Sequence, residues 1–424
     1  MKTKVFFVIA IFLVISINCI AQGLENRFGL GVNSVESFAN RNNKEPGGNL
    51  NYGSRQIFNS VYVPSQGMES SGMKPQFVGN KMTPGDDITR EQVELIFNRT
   101  KEFPEDTEIS IAFINNGRVV FYGLKRQNNA IINIDNHSSV FEIGSITKVF
   151  TATLLANFVI AGTLDLEDPI NNYLPFKMHN DIQITFKELA NHTSGLPRIP
   201  SNLLMSAMFN TENPYKNYSE DKLEKYLTGK IKVINKSVKN FNYSNLGIGI
   251  LGYTVSKIEN KSYNDLLNEQ IFSKYGMTNS STSRTDLESK LVLGLNKNGS
   301  KTPNWDFASL ESAGAVLSTT EDLSKFVIAQ FDELNRELAL TREITFDINE
   351  NNAIGLGWFI SKTDSGEILY RHKGVTGGYS SAMAININNK TGIVILSNVS
   401  GFSKNMENIE TLCFDLLTTH VIDK

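Results

Sequence analysis

Three polar clusters in the sequence have residue types and spacings that can do chemistry. The first opens the apolar run FEIGSITKVFTATLLANFVIAGTL, residues 141–164. Ser145 and Lys148 stand three apart there, so one helical turn sets an amine beside a hydroxyl. A serine hydroxyl becomes a nucleophile only when something takes its proton. A lysine held in an apolar place has a depressed pKa and can take part in that transfer. Free N–H groups at a helix entrance favour developing negative charge. The same pair also fits a helix cap and a lysine whose stem runs along apolar surface to water. The second cluster, in FNYSNLGIGILGYTVSKI (241–258), puts Tyr243, Ser244 and Asn245 at another helix entrance. Neighbouring cations would push the phenol toward phenolate and make it a base, and Asn245 offers a donor and an acceptor to a substrate amide. A capping serine or asparagine beside a half-buried tyrosine is the other reading. The third cluster, YRHKGVTGGYSS (370–381), ends a strand at His372, Lys373 and Gly374. Gly374 lets a substrate backbone approach the strand edge, and the Val375 N–H can join that of Ser145 as an oxyanion hole. A hairpin with an incidental histidine competes with that reading.

In order, Ser-Ile-Thr-Lys, Tyr-Ser-Asn and His-Lys-Gly resemble the three-motif signature of the penicillin-recognising serine enzymes. The branch they resemble is that of the class C β-lactamases and D-Ala-D-Ala carboxypeptidases, whose middle motif is Tyr-x-Asn. ITFKELANHTSGLP (184–197), SAGAVLSTTEDLSKF (312–326) and HKGVTGGYSSAMAININNKTGIVILSN (372–398) extend the similarity from about residue 86 to the C-terminus. The resemblance implies a β-lactamase/transpeptidase-like fold without a cofactor. It implies Ser145 as the acylated nucleophile, Lys148 as its proton-transfer partner and Tyr243 as general base and then acid. Asn245 would hold the amide side chain of the substrate, and the N–H groups of Ser145 and Val375 the oxyanion. His372 stands where many relatives have lysine, orienting substrate and tuning Tyr243; histidine there is more typical of carboxypeptidases and esterases. Lys373 replaces a hydroxyl residue that binds the substrate carboxylate in many relatives, so it either supplies a cation there or points to solvent. His192, in NHTSGLP, is read as structural. The implied activity is a secreted serine hydrolase cleaving a β-lactam, a D-Ala-D-Ala-type peptide or an ester. An esterase, a D-amino-acid peptidase or a non-hydrolytic penicillin-binding sensor is the alternative.

These clusters need elements to position them. Strand-like alternation marks 108–114 and 118–124, joined by an NNG turn, and again 355–361, 367–372, 380–387 and 392–398. A helix with Val93, Ile96 and Phe97 on its apolar face, capped by Asp87, precedes the first strands, and another spans 404–420. Strands at both ends with helices between them predict an α+β domain over 86–424. It would be one antiparallel sheet flanked by helices, with an all-helical region inserted. Residues 22–85, punctuated by Gly, Asn, Ser and Pro, read as an extended segment. Residues 1–21 read as a secretory signal: Lys2 and Lys4, an apolar run over 5–17, and small side chains before a cleavage at Gln22. The run is too short to favour a spanning helix, and Asn18 is a poor neighbour for lipidation of Cys19. Export to the periplasm or beyond, with no membrane span after cleavage, follows. Cys413 then has no partner and reads as a small buried hydrophobe. With 40% hydrophobic and 20% charged residues, a net charge of −3 and no basic run, the chain is globular and has no general attraction for nucleic acid. Five dispersed histidines without a His-Glu-x-x-His pattern give no metal site, and no Gly-x-Ser-x-Gly elbow surrounds Ser145. The expected partner is a small-molecule or peptide substrate.

Overall fold

The computed structural model describes residues 78–85, 87–233, 240–285 and 287–419. The expected signal sequence with Cys19, the expected cleavage at Gln22 and nearly all of the expected extended segment lie outside these residues. Strand β1 (Gly79–Asn80) precedes helix α1 (Arg90–Thr100), followed by β2 (Glu108–Asn115), β3 (Arg118–Gln127), β4 (Ala130–Ile134) and β5 (Phe141–Glu142). Helices α2 (Thr147–Ile160), α3 (Phe186–Ala190), α4 (Ser201–Phe209), α5 (Glu220–Gly229), α6 (Asn245–Glu259) and α7 (Tyr263–Leu267) make up the middle of the chain. Strand β6 (Leu317–Ser318) and helices α8 (Thr320–Ala329) and α9 (Arg336–Arg342) lead back to the sheet. The last elements are β7 (Phe346–Asn349), β8 (Asn352–Ile354), β9 (Phe359–Lys362), β10 (Ile368–Val375), β11 (Ser380–Asn386), β12 (Thr391–Ser397) and α10 (Glu407–Thr419).

Ten strands form one sheet in the order β1-β4-β3-β2-β12-β11-β10-β9-β8-β7, antiparallel except for the β1–β4 pair, and β5 pairs with β6 separately. The junction of the two ends of the chain is the β2–β12 ladder, with Ile111 opposite Ile395. The sequence reads as buried on both faces here, and alternation sorts the side chains. Ile109, Ile111, Phe113, Ile393 and Ile395 enter a core with residues of α1 and α10, Cys413 among them. Ala112, Ile114, Val394 and Leu396 enter the larger core with α2, α6 and the rest of the helical region. The α+β expectation holds. Strand β1 lies before the boundary expected at residue 86, because its two residues add to the free edge of β4.

One cap differs from expectation. Thr89, not Asp87, caps α1: its Oγ1 accepts from the Gln92 N–H, and Gln92 Oε1 accepts from the Thr89 N–H. A Thr-x-x-Gln box satisfies two free donors where a lone aspartate satisfies one. Asp87 pairs instead with Arg118, 2.6 Å away on an exposed surface.

Candidate active site

Ser145 sits in a short 3-10 turn, Gly144–Ile146, that runs straight into α2. Its hydroxyl makes no capping bond, which removes the cap reading. Lys148 does not reach water either: it has no exposed surface. Its Nζ lies 2.9 Å from Ser145 Oγ and donates to Ala313 O at 2.6 Å. Burial, reinforced by the charge of Arg198, holds the Lys148 amine well below the usual range, so the neutral form is favoured. The segment 313–316 also fastens the turn, since Ile143 N–H donates to Val316 O and Val316 N–H to Thr147 Oγ1.

Gly144 has φ +51, and a Cβ there would stand 2.7 Å from Val375 N. A side chain at 144 is therefore excluded both by conformation and by the end of β10. Gly374 is glycine for a related reason. A Cβ at 374 would collide with Ile143 O and stand 2.6 Å from Ser381 Oγ. That carbonyl accepts a 2.8 Å hydrogen bond from Ser381 Oγ. The bare backbone of Gly374 thus seats the Ser145 turn.

Thr376 N–H donates to Tyr379 O, and Val375 stands opposite Ser380. Alternation in an antiparallel ladder then turns the Val375 N–H away from β11. Strand β9 pairs with β10 only as far as Arg371, so this N–H faces an open edge beside Ser145.

Ser244 caps α6 through Gly247 N–H and donates to Pro197 O, which leaves Tyr243 just outside the helix and Asn245 as its first residue. The Ser145 hydroxyl is near enough to the Tyr243 phenol to lower its pKa. Lys148 Nζ lies 5.0 Å and the Arg198 guanidinium carbon 4.9 Å from its ring centroid. Burial nevertheless dominates the opposing charge of Arg198 and pushes the phenol up to about 12. In the ligand-free site, burial therefore favours the protonated form of the Tyr243 phenol and the neutral form of the Lys148 amine. Asn245 donates to Tyr215 OH at 3.1 Å, and its Oδ1 is buried without a partner.

His372 faces this centre from β10, its ring 6.5 Å from that of Tyr243 and 5.4 Å from that of Phe359. Its Nδ1–H donates to Lys373 O at 2.8 Å, leaving Nε2 as a buried acceptor with no partner. Burial first, then the charge of Lys148, takes the imidazole down to about 3, so it stays neutral. Lys373 takes neither place expected of it. Alternation puts it on the other face of the sheet, where Nζ pairs with Glu410 Oε2 at 2.5 Å.

His192, at φ +62, is a support as expected: Nδ1 accepts from Ser244 N–H, and its ring lies 4.5 Å from that of Tyr243. Arg198, Tyr215 and Phe359 were not singled out by sequence. Arg198 directly follows NHTSGLP, and no reactive spacing marked it. A cleft of about 440 Å³ bounded by Arg284, Trp305, Asp306 and Glu311 is separate; none of Ser145, Lys148, Tyr243 and His372 lines it. Among the described residues no group of His, Cys, Asp and Glu is placed to hold a metal ion, and no helix is long and apolar enough to cross a membrane.

Comparison with solved structures places the fold. The class C β-lactamase from Rhodobacter sphaeroides superposes with a TM-score of 0.63 at 19% identity, covering 78% of this chain and 99% of that one. The β-lactamase/D-alanine carboxypeptidase from Pseudomonas syringae gives 0.64 at 20%, covering 78% and 100%. Among curated relatives, Protein flp of Staphylococcus aureus (strain NCTC 8325 / PS 47) is 25% identical over 330 residues, 74% of this chain. The chain spans 64% of that protein's length. Beta-lactamase-like protein 2 of Dictyostelium discoideum is 32% identical over 218 residues, 49% of this chain and 38% of that one. The Beta-lactamase family profile matches residues 100–414, and with the β-lactamase/transpeptidase-like fold around it the chain belongs to the Beta-lactamase family of serine hydrolases.

Proposed function

We propose that the protein is a hydrolase that forms an acyl-enzyme on Ser145 and cleaves an amide, β-lactam or ester bond. The observation that carries this is Lys148, fully buried with its amine 2.9 Å from Ser145 Oγ. In the first step Ser145 Oγ bonds to the substrate carbonyl carbon, and its proton passes to the Lys148 amine. The carbonyl oxygen becomes an oxyanion, received by the N–H groups of Ser145 and Val375. Collapse breaks the bond to the leaving amine or alkoxide, which takes a proton from the Tyr243 phenol; the proton on Lys148 restores the phenol. Water then adds to the acyl-enzyme, and the Ser145–acyl bond breaks to release the acid and regenerate the hydroxyl. Asn245 Oδ1 and His372 Nε2, both buried acceptors, hold substrate N–H groups. Each is costly to bury unpaired and is satisfied when substrate arrives.

Residues 86–424 are proposed as the hydrolase domain and residues 1–21 as an export signal. N-terminal sequencing of the mature protein checks the latter, with Gln22 expected first. For the mechanism, a fluorescent penicillin and a neutral fluorophosphonate are expected to label Ser145. Ser145→Ala is expected to lose labelling and about 10⁴-fold or more in kcat. Undiminished turnover by a folded Ser145→Ala protein overturns the reading. A chromogenic cephalosporin, a D-Ala-D-Ala peptide and a p-nitrophenyl ester, assayed together, assign the bond cleaved.

A further inference from the structure

We infer that the substrate carries a carboxylate on its acyl portion and that Arg198 receives it. This rests on the reading of Ser145 as the acylated residue. Arg198 O accepts a 3.1 Å hydrogen bond from Leu246 N–H, so its backbone is tied to the first turn of α6, next to Asn245. The guanidinium lies 4.9 Å from the ring centroid of Tyr243, the phenol beside Ser145. Stacking on a ring uses the face of a guanidinium and leaves its in-plane N–H donors free. Nε is buried and has no hydrogen-bond partner, and among the described residues no carboxylate pairs with this side chain. The charge is felt throughout the centre, where it acts on Lys148, His192, Tyr215 and Tyr243.

The rest of the site sharpens the assignment. A cation from β10 would be the other way to hold an anion, but His372 is neutral and Lys373 is spent on Glu410 behind the sheet. Glu142, the acid next to the nucleophile turn, turns away to accept from Asn304 and the Trp305 N–H. Arg198 is therefore a charge without a counterion among the described residues, close to the unpartnered Oδ1 of Asn245. A planar carboxylate matches its two parallel donors. An acyl group with a terminal carboxylate and an amide along its length would satisfy Arg198 and Asn245 together.

Two pairs of esters test this. One is mono-p-nitrophenyl adipate against its methyl ester, which moves a charge on and off the acyl end. The other is 3-carboxy-4-nitrophenyl hexanoate against p-nitrophenyl hexanoate, which does the same on the leaving group. For the wild type, kcat/KM is expected to favour the acyl carboxylate by about tenfold or more. That preference is expected to shrink between about 0.05 and about 0.5 M sodium chloride, as screening shortens the reach of the charge. Arg198→Gln should erase it, mainly through KM, and Arg198→Lys should restore part of it. A wild-type preference at or below unity overturns the inference, as does one unchanged in Arg198→Gln. A preference confined to the leaving-group pair overturns the acyl-side assignment. If Arg198→Gln does not fold, the wild-type ratio and its salt dependence decide. Failure of the underlying mechanism shows separately, as absence of fluorophosphonate labelling at Ser145.

Discussion

The two faces of β10 handle polarity in opposite ways. Behind the strand, Arg371 and Lys373 both grip Glu410 of α10, at 3.1 and 2.5 Å, and the Arg371 guanidinium carbon lies 5.5 Å and 5.4 Å from the ring centroids of Phe359 and Phe414. Burial alone would raise the Glu410 carboxyl, but the charges of Lys373 and Arg371 outweigh it and hold it below its ordinary value. Every charge there is answered from within the protein. In front, Gly374 has no side chain and His372 has no charge, and the acceptor Nε2 faces the centre unanswered. A stable structural face satisfies its own groups; a working face leaves them for a ligand. Alternation lets eight residues do both, because adjacent side chains never share a side.

Substitutions along β10 can break or sharpen this contrast. The largest effect is expected at the front. Gly374→Ala drives a methyl into Ile143 O, displaces the Ser145 turn and lowers kcat by about 10²-fold; stopped-flow acylation with the fluorophosphonate measures it. Next is the back. Glu410→Gln removes the carboxylate that both cations grip and is expected to cost about 3 kcal/mol in urea unfolding, the low end for a buried pair because Lys373 keeps 30% of its side chain exposed. The pH dependence has a definite sign. A carboxyl with a depressed folded pKa adds stability above its unfolded value near 4.5, and that stability is lost as pH falls through the folded value. The variant should lack this acid-side loss. A smaller effect concerns His372, neutral down to about pH 3. The acid limb of kcat/KM on a neutral ester is expected to arise from protonation of Lys148 and to keep its position in His372→Gln. A limb that moves by a unit or more would assign the titration to the imidazole. The smallest is Lys373→Met, which leaves Glu410 paired with Arg371. It should cost less than about 1 kcal/mol and leave KM for the adipate ester unchanged. A rise in that KM would return Lys373 to the front of the sheet.

Much of this was legible in the sequence because it follows from short-range periodicity. The alternation around Ile393 to Leu396 named the strands at the centre of the sheet, and strands at both ends of the chain implied that distant segments complete it. Ser145, Lys148, Tyr243, Asn245 and His372 were legible as types at spacings, and the fold brings them to one place. What sequence could not show was environment. The Tyr243 phenol keeps its proton because burial outweighs the charge of Arg198, and burial is a sum over residues remote in the chain. Arg198 gained its position from a backbone bond to α6, and Gly374 its reason from a carbonyl more than two hundred residues earlier. Lys373 was misplaced for a simpler reason: strand alternation alone would have put it opposite His372.

The β2–β12 ladder also sets a clock. The strand that follows α1 waits for one of the last strands made, and the nucleophile turn rests on both β10 and the segment 313–316. Contacts so far apart in sequence form late, after the entropy of closing a long loop has been overcome. On the proposed mechanism, a chain lacking β10–β12 lacks the Val375 N–H and the seat of the Ser145 turn, and is expected to carry the Ser-Ile-Thr-Lys motif without its reactivity.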